Sequence, residues 1–114
     1  MSIEMYSGKS VNIIINSTFE NKLIKILKNI GLTGYTQLNA RGDGVSGVQD
    51  GHSDGESNVM FVVLVSNELA ETLIKNLNTY RDMGHHIFVY THDAQILNAE
   101  KCDESALKCP GWTF

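Results

Sequence analysis

The chain has 114 residues, 42% of them hydrophobic and 19% charged, enough to close one core and too few for two. Nine Lys and Arg against thirteen Asp and Glu leave a formal charge of -4, which argues against a general nucleic-acid binder, because that task needs a basic face to displace counterions. No apolar run approaches the roughly 20 residues that span a bilayer, and the first residues lack the basic-then-apolar pattern of a secretion signal, so the expected location is the cytoplasm.

Residues 1–8 read as a loose leader. Val11-Asn12-Ile13-Ile14-Ile15 is short, β-branched and apolar, which predicts a buried strand. Ser17 suits a helix N-cap, with Glu20 three residues on completing a capping box. Phe19, Leu23, Ile26, Leu27 and Ile30 then fall on one helical face while Glu20, Asn21, Lys25 and Lys28 point away. Gly31 stands where a left-handed residue closes a helix. Tyr35 to Arg41 reads as a second, moderately apolar strand.

Residues 42–57 carry Gly42, Gly44, Gly47, Gly51 and Gly55 among Asp43, Asp50, Asp54 and Glu56. Ordering so many glycines is entropically costly, so this segment is predicted to be a mobile excursion. Val59 to Val65 is apolar at every position and predicts a central strand. Ser66 or Asn67 caps a second helix whose face is Leu69, Leu73, Leu77 and Tyr80, with Ala70 and Ile74 beside it. Gly84 ends it, and Ile87 to Tyr90 makes a fourth strand before a tail over 91–114.

Strand-helix-strand, twice, predicts an α+β ferredoxin-like βαββαβ domain over residues 1–114: a four-stranded antiparallel sheet with two helices on one face. The other face needs a cover. Symmetric self-association supplies one, and the 24-residue tail over 91–114 is the competing cover.

The stretch Ile30-Gly31-Leu32-Thr33-Gly34-Tyr35-Thr36, with Gly42 and Gly44 at the root of the excursion, resembles the PII signalling proteins. There the pattern is roughly V-G-I-T-G-M-T, a strand, then G-x-G at the base of the long T-loop. The likeness runs through Ser57-Asn58-Val59 and Ile87-Phe88-Val89 and covers about residues 10–97. Gly34-Tyr35-Thr36, the start of strand three and the paired cysteines of a C-terminal extension, about 98–114, are most similar to PII-like proteins linked to bicarbonate transport and carboxysomes. The resemblance implies a homotrimer, adenine nucleotides in clefts between subunits, and signalling through the T-loop, about 42–57, to a membrane transporter or other target. It places the protein in the cytoplasm, or at the inner membrane through that partner.

The departures from that pattern narrow the ligand. The nitrogen-regulatory pattern has arginine and glutamine after G-x-G, where this chain has Val45 and Ser46. A lysine before strand four corresponds to His86, and two arginines after it correspond to Leu97 and Ala99. Charge-assisted contacts to phosphate are worth roughly 1.5–3 kcal/mol each, so tight ATP binding is not expected. AMP, ADP, cyclic AMP (cAMP) or bicarbonate fits better, with no cofactor required. The loop has no tyrosine to be uridylylated.

By this resemblance the ligand set is Gly34, Tyr35, Thr36, Arg41, Gly42, Gly44, His85, His86 and Ile87. Arg41 either contacts an anion or is a strand-end surface charge, and each glycine either admits a ligand to the backbone or serves a turn. His85 and His86 either hydrogen-bond a ligand, pairing with phosphate in their charged form, or end a strand without further role. A metal-binding alternative, similar to the divalent-cation-tolerance branch of the superfamily, would use His52, Asp54, His85, His86 or His92. Solvated loop residues are the competing account of His52, Asp54 and Glu56. Cys102 and Cys109 are two free thiols or a reversible redox pair, and two ligands alone fall short of the four that structural zinc takes. No Ser-His-Asp, Cys-His or paired-carboxylate set can be assigned and no Gly-Lys-Ser/Thr loop occurs, so a non-enzyme is expected.

Overall fold

The computed structural model describes residues 3, 5–32, 34–40, 42–44, 47–49 and 58–97. One antiparallel sheet is formed by β1 Tyr6–Asn16, β2 Thr36–Ala40, β5 Asn58–Val65 and β6 Ile87–Ile96, in the order β2-β5-β1-β6, and the short strands β3 Gly42–Gly44 and β4 Gly47–Gln49 pair separately with each other. Helices α1 Glu20–Asn29 and α2 Asn67–Asp82 provide the two crossovers. This is the ferredoxin-like arrangement. The strands joined by a helix are never neighbours in the sheet, because each helix must return over it before the next strand is laid down.

Both helices end in the same device. Leu32 N–H reaches Leu27 C=O at 2.8 Å and Gly31 N–H reaches Lys28 C=O at 3.0 Å, with Gly31 at φ 90°. The second helix repeats it: His85 N–H to Tyr80 C=O at 3.2 Å, Gly84 N–H to Arg81 C=O at 3.0 Å, and Gly84 at φ 105°. These are Schellman closures, in which a left-handed glycine satisfies the last carbonyls and folds the next residue back onto the helix. Leu27 and Leu32 are both buried, as that motif's apolar contact requires.

At the other ends, Ser66 Oγ accepts from Leu69 N–H at 3.3 Å and caps α2. The start of the first helix differs from the capping-box expectation. A 3-10 turn, Ser17–Phe19, precedes α1, and Asn16 Oδ1 accepts from Thr18 N–H at 2.9 Å, so the side-chain cap lies one residue earlier than Ser17. The outer limits of the first and last strands also move. The expected leader over 1–8 is strand from Tyr6, and the fourth strand of the sheet runs past Tyr90 to Ile96, because Tyr6 to Ile15 pairs without interruption with Ile96 to Ile87.

The core lies between the sheet and its helices. Odd-numbered Val11, Ile13, Ile15, Val59, Phe61, Val63 and Val65 face Phe19, Leu23, Ile26, Leu27, Ala70, Leu73 and Leu77, all buried. Ile74 is excepted from the apolar helical face and is 37% exposed. Within the segment predicted to be a mobile excursion, β3 pairs antiparallel with β4 in a small ladder (Gly42 with Gln49, Gly44 with Gly47). The remainder of 42–57 lies outside the described residues.

Candidate functional site

The even-numbered positions of the four-stranded sheet face away from the helices. Across it run Leu38-Met60-Ile14-Phe88, then Thr36-Val62-Asn12-Tyr90, then Leu64-Ser10-His92. Leu38 is 50% exposed, Phe88 62% and Tyr90 43%. No Asp, Glu, Lys or Arg occupies an even-numbered position of any of these four strands. Yet such residues make up 19% of the chain. Leu38, Phe88 and Tyr90 therefore put exposed apolar surface on a face that no described helix covers.

The candidate ligand residues are distributed around the margin of this face. Gly34 is buried just before β2, and the half-buried Tyr35 ring packs on Phe61 with centroids 5.1 Å apart, so that ring belongs to the edge of the core. Thr36 opens β2 opposite Val62. At the far end of β2, Ala40 pairs with Asn58 and leads to Gly42 and Gly44 in the small ladder. The row Asn39-Val59-Ile15-Ile87 crosses the sheet at this end. Residues 42–44 and His85–Ile87 therefore lie toward the same end of the sheet but at opposite edges. Three strand spacings separate those edges, about 14 Å. One protomer does not bring the two groups together.

His85 and His86 are both exposed and Ile87 is buried. The Schellman closure turns His85 back onto the molecule, where its ring lies 4.8 Å from Phe19 and 6.0 Å from Tyr80. Phe19 meets Tyr80 edge-on at 5.7 Å, and Lys22 Nζ sits 5.6 Å over the Tyr80 ring. His85 thus joins the two helix ends, leaving His86 as the outward-facing imidazole beside β6. Sequence reasoning treats the two histidines alike; the helix-closing glycine before them is the signal that separates them. Arg41, His52, Asp54, Cys102 and Cys109 lie outside the described residues. Among the described residues no three His, Cys, Asp or Glu side chains gather as a metal site. No described helix is long and apolar enough to cross a membrane.

At the end of the sheet away from His86, Lys9 and Asp93 form an ion pair across β1 and β6. The hydrogen bond from Lys9, and then its positive charge, hold the Asp93 carboxyl below its ordinary range. A carboxylate lowered on folding contributes stability above its unfolded value, about pH 3.9, and that contribution fades as pH falls through the folded value. Observed by carboxyl-carbon NMR, Asp93 is expected to titrate below a free aspartate in this protein and to return upward in Lys9→Met. An unmoved midpoint in that variant would show the pair absent in solution.

Comparison with known proteins gives a consistent result. The family model described as nitrogen regulatory protein P-II matches residues 8–101. The structure of CPII from Thiomonas intermedia K12, a nitrogen regulatory PII-like protein bound to ADP, AMP and bicarbonate, superposes with a TM-score of 0.78 at 25% identity, covering 88% of this chain and 97% of that one. CPII bound to ADP and bicarbonate gives 0.78 at 26%, covering 88% and 98%. A protein of Thermus thermophilus described as PII-like gives 0.71 at 26%, covering 86% and 97%. No protein of curated function matches the chain.

Proposed function

Since the chain belongs to the nitrogen regulatory protein P-II family, we propose that it is a PII-like regulator, a homotrimer that takes AMP, ADP, cAMP or bicarbonate at the seams between its copies. The observation that carries this reading is the division of the candidate residues between the two edges of one sheet. A cyclic assembly sets one patch of a copy against a different patch of the next. In that way the β2 edge of one copy, with Gly34, Tyr35, Thr36, Gly42 and Gly44, meets the β6 edge of another, with His85, His86 and Ile87. The uncharged sheet face supplies the surface that holds the copies together.

The ligand class rests on two supports. The Thiomonas proteins similar to this chain are described with ADP, AMP and bicarbonate. In this chain His86, Leu97 and Ala99, with Val45 and Ser46, stand where nitrogen-regulatory relatives carry the cations and the glutamine that meet a triphosphate. Binding at the seam orders residues 42–57, and the ordered loop engages or releases a target such as a membrane transporter, a switch between two loop states with different partner affinity. No catalytic step is assigned to the site.

Titration calorimetry with AMP, ADP, ATP, cAMP and bicarbonate tests this. At least one of the monophosphate, diphosphate or bicarbonate ligands is expected to give saturable heat, with ATP weaker than ADP. Absence of heat from all five, or a protein that sediments as a monomer, overturns the reading.

A further inference from the structure

The two helix closures match bond for bond, and they differ in the residue that each folds back. After α1 that residue is Leu32, buried beside Leu27. After α2 the same position is His85, whose N–H reaches Tyr80 C=O at 3.2 Å. The motif calls for an apolar contact at this point, and the imidazole supplies it. Its ring lies 4.8 Å from the buried Phe19 and 6.0 Å from Tyr80, and those two rings meet edge-on at 5.7 Å. Lys22 Nζ, 5.6 Å from the centre of the Tyr80 ring, ties α1 to the same group. Two residues past His85, Ile87 is buried and paired with Ile15. His86 is therefore a single exposed residue held between two anchors.

We propose that His85 is a positioning residue and not a ligand contact: stacked on Phe19 and Tyr80, it fixes the backbone that presents the His86 imidazole at the β6 edge. The inference rests on the ligand site read above and gives different tasks to two adjacent histidines. Its physical basis is conformational entropy. A residue in a free connection between helix and strand loses backbone freedom when a ligand fixes it, and that loss weakens binding. With His85 stacked and Ile87 in the ladder, much of this freedom is gone before a ligand arrives. The contacts of His85 are ring to ring, so a phenyl group at this position does the same work. A methyl group does not, because it leaves Phe19 and Tyr80 without the ring that pins the connection.

His85→Ala, His85→Phe, His86→Ala and the double variant His85→Ala/His86→Ala, all in the full chain, test the proposal. Affinity for AMP and ADP is read by calorimetry, and the backbone order parameter at His86 by amide nitrogen relaxation without ligand. His85→Ala is expected to assemble as wild type does and to bind about 5- to 30-fold more weakly, the cost of fixing one residue's backbone. Its order parameter at His86 should fall. His85→Phe should restore both quantities. The double variant should bind no more weakly than His86→Ala alone, because the contribution of His85 passes through His86. Additive losses, or His85→Phe binding as weakly as His85→Ala, would make the imidazole a ligand contact and overturn the proposal. An unchanged order parameter in His85→Ala overturns it as well. If His85→Ala does not assemble, His85→Phe decides, and weakened nucleotide binding by the assembled His85→Phe protein sinks the idea. Absence of heat from wild type removes the ligand site itself and this inference with it, whereas wild-type affinity in His85→Ala removes the inference alone.

Discussion

Replacing Phe88 by aspartate is expected to leave the protomer folded and to abolish its self-association. Phe88 is 62% exposed and pairs across the sheet with Ile14, on the face that no helix covers. In an isolated protomer the change is a surface substitution, within about 0.5 kcal/mol. In an interface it buries an unpaired carboxylate, which costs several kcal/mol. A loss of ~3–4 kcal/mol at each contact weakens association by about 100- to 1000-fold. Sedimentation velocity together with circular dichroism reads both halves of this expectation. Heat from AMP or ADP should disappear with the assembly, because the proposed seam draws on the β2 edge of one copy and the β6 edge of another. A Phe88→Asp protein that assembles as wild type does would show that copies meet elsewhere, and one that binds nucleotide as a monomer would show that a single edge suffices.

The largest loss of fold stability is expected from Phe61→Ala. Phe61 lies at the centre of β5, paired with Ile13 on one side and Gln37 on the other, and is completely buried. Its ring carries Tyr35, at 5.1 Å between centroids, so the loop leading into β2 loses its support as well. Large-to-small changes of this kind cost about 3–5 kcal/mol, the transfer of the lost atoms plus the cavity left behind. A domain with about 5–15 kcal/mol in total keeps little after such a loss. The measurement belongs in the Phe88→Asp background, where assembly adds no concentration-dependent stabilisation. With a urea slope near ~2 kcal/mol per molar, the midpoint should fall by about 2 M. A fall of less than about 0.5 M would mean that neighbouring side chains collapse into the space, and that the sheet and helices are less closely locked than the burial of Val11, Ile13, Leu23 and Leu73 implies.

Much of the scaffold was legible because its signals are local. Gly31 and Gly84 end both helices with a left-handed residue that few other side chains adopt, and the positions were readable before any packing was known. The faces of α1 and α2 followed from the helical period of about 3.6 residues, and Val59 to Val65 declared a central strand by having no polar position. Local signals failed where pairing decided. Tyr6 to Ser10 and Thr91 to Ile96 have little strand character of their own, yet they extend each other because β1 and β6 continue one ladder. Ser17 was the cap expected from the capping-box pattern, and the 3-10 turn puts the side-chain cap at Asn16 instead.

From its sequence alone the chain determined its element order, its antiparallel ferredoxin-like topology and its kinship with PII proteins. Those properties depend on residue type, short-range spacing and motif. Which histidine turns onto Phe19 and Tyr80, which sheet face no described helix covers, and how the described candidate residues divide between two edges were decided only by the tertiary structure. Each of these depends on residues far apart in the chain being brought into register, and pairwise register is a property of the folded sheet that no single segment encodes.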